Sequence, residues 1–316
     1  MPLDLEHSES ASRTSVTRRR FVQAGTLAVA GLALYPSEIE RHWLEITHRD
    51  VFLRGLPQVF DGMRIAQISD IHMDLYTEPI FLRHVIDEVN RLQPDAVLLT
   101  GDYVTEKFVP IRYSSPAFVA GEEKFAVGAA WQCANLLRSL KCRNIYAVLG
   151  NHDVSIGADK VTEAFTDNGI TMLSNTYLPI ERSGGRFWLA GLDDPVDGQA
   201  DPDLAIPPSI RNLPNEPVVL MCHAPDYVDT LLAHPAGQSV GLMLSGHTHG
   251  GQVRLPLVGF LHLPKMGRKY IQGWFQFGGL QLHVNRGIGT LGLPLRFDCP
   301  PELTVITLRT ALSQQA

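Results

Sequence analysis

The sequence predicts an α/β fold, and three observations carry that prediction. Short apolar runs of four to six residues recur along the chain, bounded by Gly, Pro or polar residues, as buried strands are. Stretches with helical apolar spacing separate them, which implies a largely parallel sheet. Each run also ends abruptly in a polar cluster, and in such sheets functional groups collect beyond the carboxyl ends of the strands.

The elements read in order as follows. Arg64–Ser69 is a strand running into Asp70-Ile71-His72. Ile80–Leu92 is a helix, with apolar residues at 81, 82, 85, 86, 89 and 92. Ala96–Thr100 is a strand ending at Gly101-Asp102, and residues 103–125 lack clear periodicity and read as a long loop. Ala129–Leu140 is helical. Ile145–Leu149 is a strand running into Gly150-Asn151-His152-Asp153, and Lys160–Asn168 is helical. Phe187–Leu192 runs into Asp193-Asp194, which reads as a turn before Pro195. Pro217–Cys222 is a strand ending at His223. A short helix spans Asp226–Ala233, and Val240–Leu244 is a strand ending at Ser245-Gly246-His247-Thr248-His249. Residues 252–285, with their Gly, Pro and alternating aromatics, read as irregular strands and turns.

The 316-residue chain is 45% hydrophobic and 19% charged, enough to bury a sizeable core and too apolar for disorder. Residues 1–36 hold four arginines and three acids, which leaves 23 basic and 30 acidic residues for the body. A mildly acidic body with no long basic run has no evident nucleic-acid-binding surface. Cys133, Cys142, Cys222 and Cys299 form no CxxC pair, which argues against a thiolate zinc site; they read as reduced thiols. No internal repeat is visible.

Residues 1–36 read as a targeting segment. Thr17-Arg18-Arg19-Arg20-Phe21 precedes an uncharged apolar stretch over Ala24–Pro36, too short to span a bilayer comfortably. The Arg-Arg-x-Phe pattern resembles a twin-arginine export signal, and Ala28-Val29-Ala30 offers a cleavage site. The expectation is export through the twin-arginine translocase to a periplasmic, cell-wall or membrane-associated location. Residues 37–316 read as one domain.

The polar clusters gather Asp70, His72, Asp102, Asn151, His152, His223, His247 and His249. Burying so many polar groups together is costly without a partner that satisfies them, and a divalent cation is such a partner. Nitrogen and oxygen donors without thiolate suit Mn, Zn or Fe and argue against calcium. Asp70 and His72 are two apart, as are His247 and His249; in extended backbone such pairs share a side.

In this order the clusters Asp-x-His, Gly-Asp, Gly-Asn-His-Asp, His and Gly-His-x-His resemble the calcineurin-like metallophosphoesterase superfamily, over residues 64 to about 310. Gly250-Gly251-Gln252-Val253, the Gly287-Ile288-Gly289 stretch and Leu293-Pro294-Leu295-Arg296-Phe297 are similar to its exported YkuE- and YaeI-like phosphodiesterase branch. The resemblance implies a four-layer α/β/β/α sandwich around two divalent metal ions. It implies Asp70, His72, Asp102 and His249 at the first metal, and Asp102, Asn151, His223 and His247 at the second, with Asp102 bridging. His152 is implied as the acid at the leaving group. The implied activity is phosphoester hydrolysis, foremost of a phosphodiester, by in-line attack of a metal-bridging hydroxide. The alternatives are a phosphatase or pyrophosphatase acting on a lipid- or nucleotide-linked head group, and a non-catalytic metal-binding scaffold. An envelope component is the expected substrate source, and membrane association is compatible with it. The protein Ser/Thr phosphatases of the superfamily follow Gly-Asp with an Asp-Arg pair, whereas this chain reads Gly101-Asp102-Tyr103-Val104. The role of Asp153 stays open between orienting its loop, pairing with a histidine and capping the next segment. Lys265, Arg268 and Lys269 read equally as contacts for an anionic head group or as a solvated turn.

Overall fold

The computed structural model describes residues 34–74, 79–105, 116–213 and 215–311, with Arg19, Gln23, Thr26 and Gly31 placed singly before them. Most of the expected export segment, including Arg18, Arg20 and Phe21, lies outside the described residues. Among the described residues no helix is long and apolar enough to cross a membrane.

Two six-stranded sheets form the centre. The first has the order β1 (Glu45–Leu53), β14 (Glu302–Thr310), β2 (Arg64–Ile68), β3 (Ala96–Leu99), β4 (Ile145–Ala147), β5 (Thr171–Met172). The second runs β12 (Gly273–Phe277), β13 (Leu280–Val284), β9 (Val240–Ser245), β8 (Val218–Met221), β7 (Gly185–Gly191), β6 (Thr176–Arg182). In each sheet a parallel block carries an antiparallel strand: β14 against β2 in the first, β6 against β7 and β12 against β13 in the second. A two-stranded ribbon, β10 (Arg254–Leu255) with β11 (Gly259–Phe260), stands apart.

Strand alternation divides the apolar residues among three cores, because successive side chains point to opposite faces. Ile65 and Leu98 from the first sheet meet Val219, Met221, Leu242 and Leu244 from the second, between the sheets. Ala66, Val97 and Leu99 face the other way, onto α1 (Pro79–Leu92), α2 (Pro116–Leu137) and α3 (Asn151–Asp167). Val218, Leu220 and Met243 pack outward on Ala205 of α4 (Pro202–Ala205) and on Val228 and Leu231 of α5 (Val228–Ala233). The result is the expected helix–sheet–sheet–helix stack.

Three expectations need correction. The loop expected over 103–125 ends at Pro116, where α2 begins; proline is suited to a first helical turn. The small residues of α2 (Ala129, Ala130, Cys133, Ala134) give a buried face without a strong apolar period. Helix α3 starts at Asn151, not Lys160, and bends at Gly157, whose φ of 133° departs from helical values. The Asn-His-Asp cluster is therefore the first turn of a helix, not strand-end loop. Finally, Asp70, His72, His247 and His249 do not sit in extended backbone: their φ values are 50°, 49°, 72° and 51°. They converge because the chain turns left-handed at each of them.

Candidate metal centre

The parallel strands β2, β3, β8 and β9 end at one edge, where the two sheets meet, and each delivers part of the site. Asp70, His72 and His249 form one group of donors, Asp102, His223 and His247 a second, and His72, Asp102 and His152 a third; within each group the donor atoms lie within 4.8 Å of one another. Asp102 and His72 link the groups. His72 Nε2 is 3.0 Å from His249 Nε2, and His223 Nε2 is 3.2 Å from His247 Nδ1. Asp102 Oδ2 stands 3.2 Å from His223 Nε2 and 3.5 Å from His72 Nε2, and Asp70 Oδ1 is 3.5 Å from His249 Nε2. Asp70, His72, Asp102 and His223 are essentially inaccessible to solvent.

Outer contacts fix which ring nitrogen faces inward. His223 Nδ1 lies 2.7 Å from the Thr100 carbonyl and donates to it, which turns Nε2 toward Asp102. His247 Nε2 is held by the Lys265 carbonyl at 2.7 Å, which frees Nδ1. The Asp70 carboxylate accepts the His247 backbone N–H at 2.9 Å, tying the β2 end to the β9 end.

Asp153 settles into a positioning role. Its carboxylate accepts N–H groups from Asp102 (2.8 Å), Tyr103 (2.9 Å) and Gly150 (2.9 Å). It thus caps α3 and fixes the turn that presents Asp102. Burial, with the nearby Asp102 charge, pushes its pKa up, and the N–H groups pull it back. The His152 backbone N–H in turn donates to Asp102 Oδ1 at 3.0 Å. The His152 ring meets the His72 ring edge-on, 5.0 Å between centroids, at the half-buried side of the cluster.

Burial and mutual pairing set the charge states of the donors. Burial drives His72 down to about 3 and His247 to about 4, and holds His249 well below its ordinary range, so all three are neutral donors. Burial lifts Asp70 to about 6. Burial also raises Asp102, but His223, His152 and His72 outweigh it and keep the carboxyl well below the usual range. His223 is driven up to about 10: burial opposes its charge, and the Asp102 carboxylate overcomes that. Two buried donor atoms, Asn151 Oδ1 and His249 Nδ1, have no hydrogen-bond partner. Buried polar atoms are ordinarily satisfied, so an orphaned Asn151 oxygen beside two His/Asp groups fits a cation. The nitrogen–oxygen donor set fits a divalent transition metal.

Residues 63–251 match the family model described as calcineurin-like phosphoesterase. The chain belongs to the calcineurin-like phosphoesterase family. It is 32% identical over 305 residues to an uncharacterised metallophosphoesterase of Bacillus subtilis, YkuE, covering 93% of this chain and 98% of that one. It is 32% identical over 300 residues to the phosphodiesterase YaeI of Escherichia coli, covering 93% and 99%. It is 24% identical over 331 residues to the UDP-2,3-diacylglucosamine pyrophosphatase LpxG of Chlamydia muridarum, covering 86% and 92%.

All eight residues singled out in the sequence lie at this edge. Among the residues read as bland, Cys222 packs outward in the core while His223 faces the site, as strand alternation requires. Asp194 accepts N–H groups from Val196 and Asp197, the expected turn. His283 is buried and bonds Gln67 Oε1 at 2.8 Å between the sheets. Sequence reasoning missed Arg296. Its buried guanidinium donates to the carbonyls of Gly289, Cys299, Arg286 and Gly287, and so holds the loop whose Gly289 N–H donates to the Asp70 carbonyl at 2.7 Å. A charged residue inside the apolar run Leu291–Phe297 is the one signal that could have exposed it.

Proposed function

We propose that the chain is a two-metal phosphoester hydrolase acting foremost on phosphodiesters, with Asp70, His72, Asp102 and His249 holding one divalent cation. Asp102, Asn151, His223 and His247 hold the other. The carrying observation is the set of His/Asp donor groups linked through His72 and Asp102, with the orphaned Asn151 oxygen beside them. When bound, such cations acidify a water and draw charge from phosphoryl oxygens. The chain's own part is to pre-aim the imidazoles of His223 and His247, through the Thr100 and Lys265 carbonyls, and to keep Asp102 ionised. His152, at the open side of the cluster, is the proton donor to the departing alkoxide. Mn, Zn and Fe all suit the donor set. The match to a relative named as a phosphodiesterase supports the diester reading; the LpxG match favours, as the second reading, a pyrophosphatase on a lipid- or nucleotide-linked head group.

We further propose that residues 1–36 direct export by the twin-arginine route, to the periplasm, cell wall or membrane surface, and that residues 37–316 form one catalytic domain. The Arg-Arg-x-Phe pattern supports this. The test is metal analysis beside hydrolysis of bis(p-nitrophenyl) phosphate with Mn, Zn or Fe added back. Expected are about two metals per chain, turnover lost in Asp102→Ala, and turnover reduced with metal retained in His152→Ala. Metal binding without turnover of any diester, monoester or pyrophosphate would point to a scaffold instead.

A further inference from the structure

The segment 252–267 leaves the metal centre at His249 and returns to it at Lys265. At its start Phe260 packs on Gly251 so closely that a Cβ there would fall 2.2 Å from the ring, and Arg254 Nε donates to the Gly250 carbonyl. At its end the Lys265 carbonyl holds His247, and a Cβ on Gly267 would lie 3.2 Å from the His247 ring. The segment is thus one rim of the cleft.

Its tip points away from the body. Between β10 and β11 the chain presents Leu257 at 108% exposure and Val258 at 69%, with Leu261 following at 55%. Leu257 has a φ of 67°, a left-handed conformation that favours glycine or asparagine. A leucine there gains no packing and adds strain, so folding does not explain it. The neighbouring loop extends the same surface: Gln252 Nε2 donates to the Leu291 and Leu293 carbonyls, and Leu293 is 57% exposed. Leu255, Pro256 and Phe297 line one cleft with Tyr35, alongside the charged Glu40, Arg254 and Asp298.

Charge is segregated here as well. The chain carries 33 acids and a net charge of −6, yet no Asp or Glu occurs from Thr230 to Phe297, where six basic residues fall. Arg296 is buried, Arg286 pairs with Glu45 and Glu302, and Lys269 pairs with Asp229. Lys265 and Arg268 remain exposed along the rim itself, where the neighbouring Asp226 carboxylate is engaged by the Arg268 and Lys269 backbone N–H groups.

We propose that this rim is a bilayer-contact surface: Leu257, Val258 and Leu261, with Leu293, enter the headgroup–acyl boundary of an anionic membrane, while Lys265 and Arg268 meet its lipid phosphates. Protruding apolar side chains flanked by cations suit that boundary. A second copy of this chain suits it less, since pairing two such rims would bring like charges together. The contact would set the mouth of the metal cleft at the lipid surface, and it stands whether or not the site hydrolyses a phosphoester.

The test is co-sedimentation of the full chain with phosphatidylcholine vesicles, with and without phosphatidylglycerol. Wild type is expected to bind the phosphatidylglycerol vesicles more tightly, in a salt-sensitive way. The double variant Leu257→Asp, Val258→Asp should weaken that binding by about tenfold or more, with an unchanged unfolding midpoint and unchanged turnover of a soluble diester. The variant Lys265→Glu, Arg268→Glu should remove the preference for anionic lipid. The proposal is overturned if wild type ignores both vesicles, or if the Leu257/Val258 variant binds as wild type does, which would assign membrane binding to residues 24–34 alone. A lipid-free wild-type dimer that the same variant disperses would give the rim to a second copy instead.

Discussion

Arg296→Met tests whether the loop behind the metal centre is held by a single buried side chain. The guanidinium reaches four backbone carbonyls, and of these the Gly287 carbonyl has another donor among the described residues, the Glu302 N–H at 3.0 Å. Methionine would fill much of the volume and leave the Gly289, Arg286 and Cys299 carbonyls orphaned. Each orphaned carbonyl costs about 1–3 kcal/mol, and relief of the buried charge offsets part of the sum, which leaves about 3–5 kcal/mol. For a chain of this length about 1.5 °C follows each kcal/mol, so the melting midpoint should fall by about 5–8 °C. The loss should extend to the site, because the same loop donates from Ile288 N–H to the Ser69 carbonyl and from Gly289 N–H to the Asp70 carbonyl. Differential scanning calorimetry with and without Mn reads both effects: a lower midpoint, and a smaller upward shift on adding metal. Arg296→Lys keeps the charge but not the fork, and should fall between the two. A methionine variant that melts within a degree of wild type and keeps the full metal shift would refute the reasoning.

Three further changes probe the same edge and its support. Gly246→Ala would place a Cβ 1.8 Å from Ser69 Oγ and 2.2 Å from Asp70 Oδ2, so metal affinity measured by chelator competition should drop by at least about tenfold, with a stability loss of about 1–3 kcal/mol. Asp153→Asn sets an amide NH2 against one or more of the Asp102, Tyr103 and Gly150 N–H groups and should cost about 2–4 kcal/mol in urea unfolding; a loss below about 0.5 kcal/mol would contradict the role given to Asp153. Burial raises the Glu302 pKa, but His283 and Arg286 outweigh it and hold the carboxyl below its usual range. Its contribution is therefore complete above the unfolded carboxylate pKa of about 4.3 and is lost as pH falls through the lower folded value. Glu302→Gln should flatten that acid limb in pH-dependent unfolding, and an unchanged limb would place its origin elsewhere.

The parallel blocks were legible because buried strands announce themselves as apolar runs with abrupt ends: the runs at 64–69, 96–100, 217–222 and 240–244 each became a strand. Strand β1, with exposed His48, Arg49 and Asp50, carries no such run and gained its place only by pairing in parallel with β14 from the far end of the chain. The donor residues were legible for a similar reason, since each follows a strand whose direction fixes where it ends. Their outer supports were not. The Thr100 and Lys265 carbonyls that orient His223 and His247 are backbone groups, invisible to residue identity. Asp153 could be noticed but not assigned, because its partners are three N–H groups fifty residues apart in part. The inference from two-residue spacing reached the right grouping of Asp70 with His72 by the wrong geometry.

That geometry has an energetic consequence. Asp70, His72, Asp102, His247 and His249 all have φ between 49° and 72°. Left-handed backbone costs a non-glycine residue about 1–2 kcal/mol, so five such donors store roughly 5–10 kcal/mol at one edge. Asp and His adopt that backbone more readily than most side chains do, yet five together at one edge persist because tertiary contacts impose them. The Asp153 carboxylate fixes the Asp102 turn, the Arg296-held loop fixes Asp70, and the close approach of Gly246 to Ser69 and Asp70 locks the β9 end against the β2 end. Strained donors aimed at one another, with two orphaned polar atoms among them, make an edge that is costly to fold without a cation. A bound cation that the unfolded chain does not hold offsets the cost by mass action, about 2.7 kcal/mol at a hundredfold excess over its dissociation constant. The strain therefore belongs to the binding function: it keeps the donors aimed before the ion arrives, so that little further ordering is needed when it does.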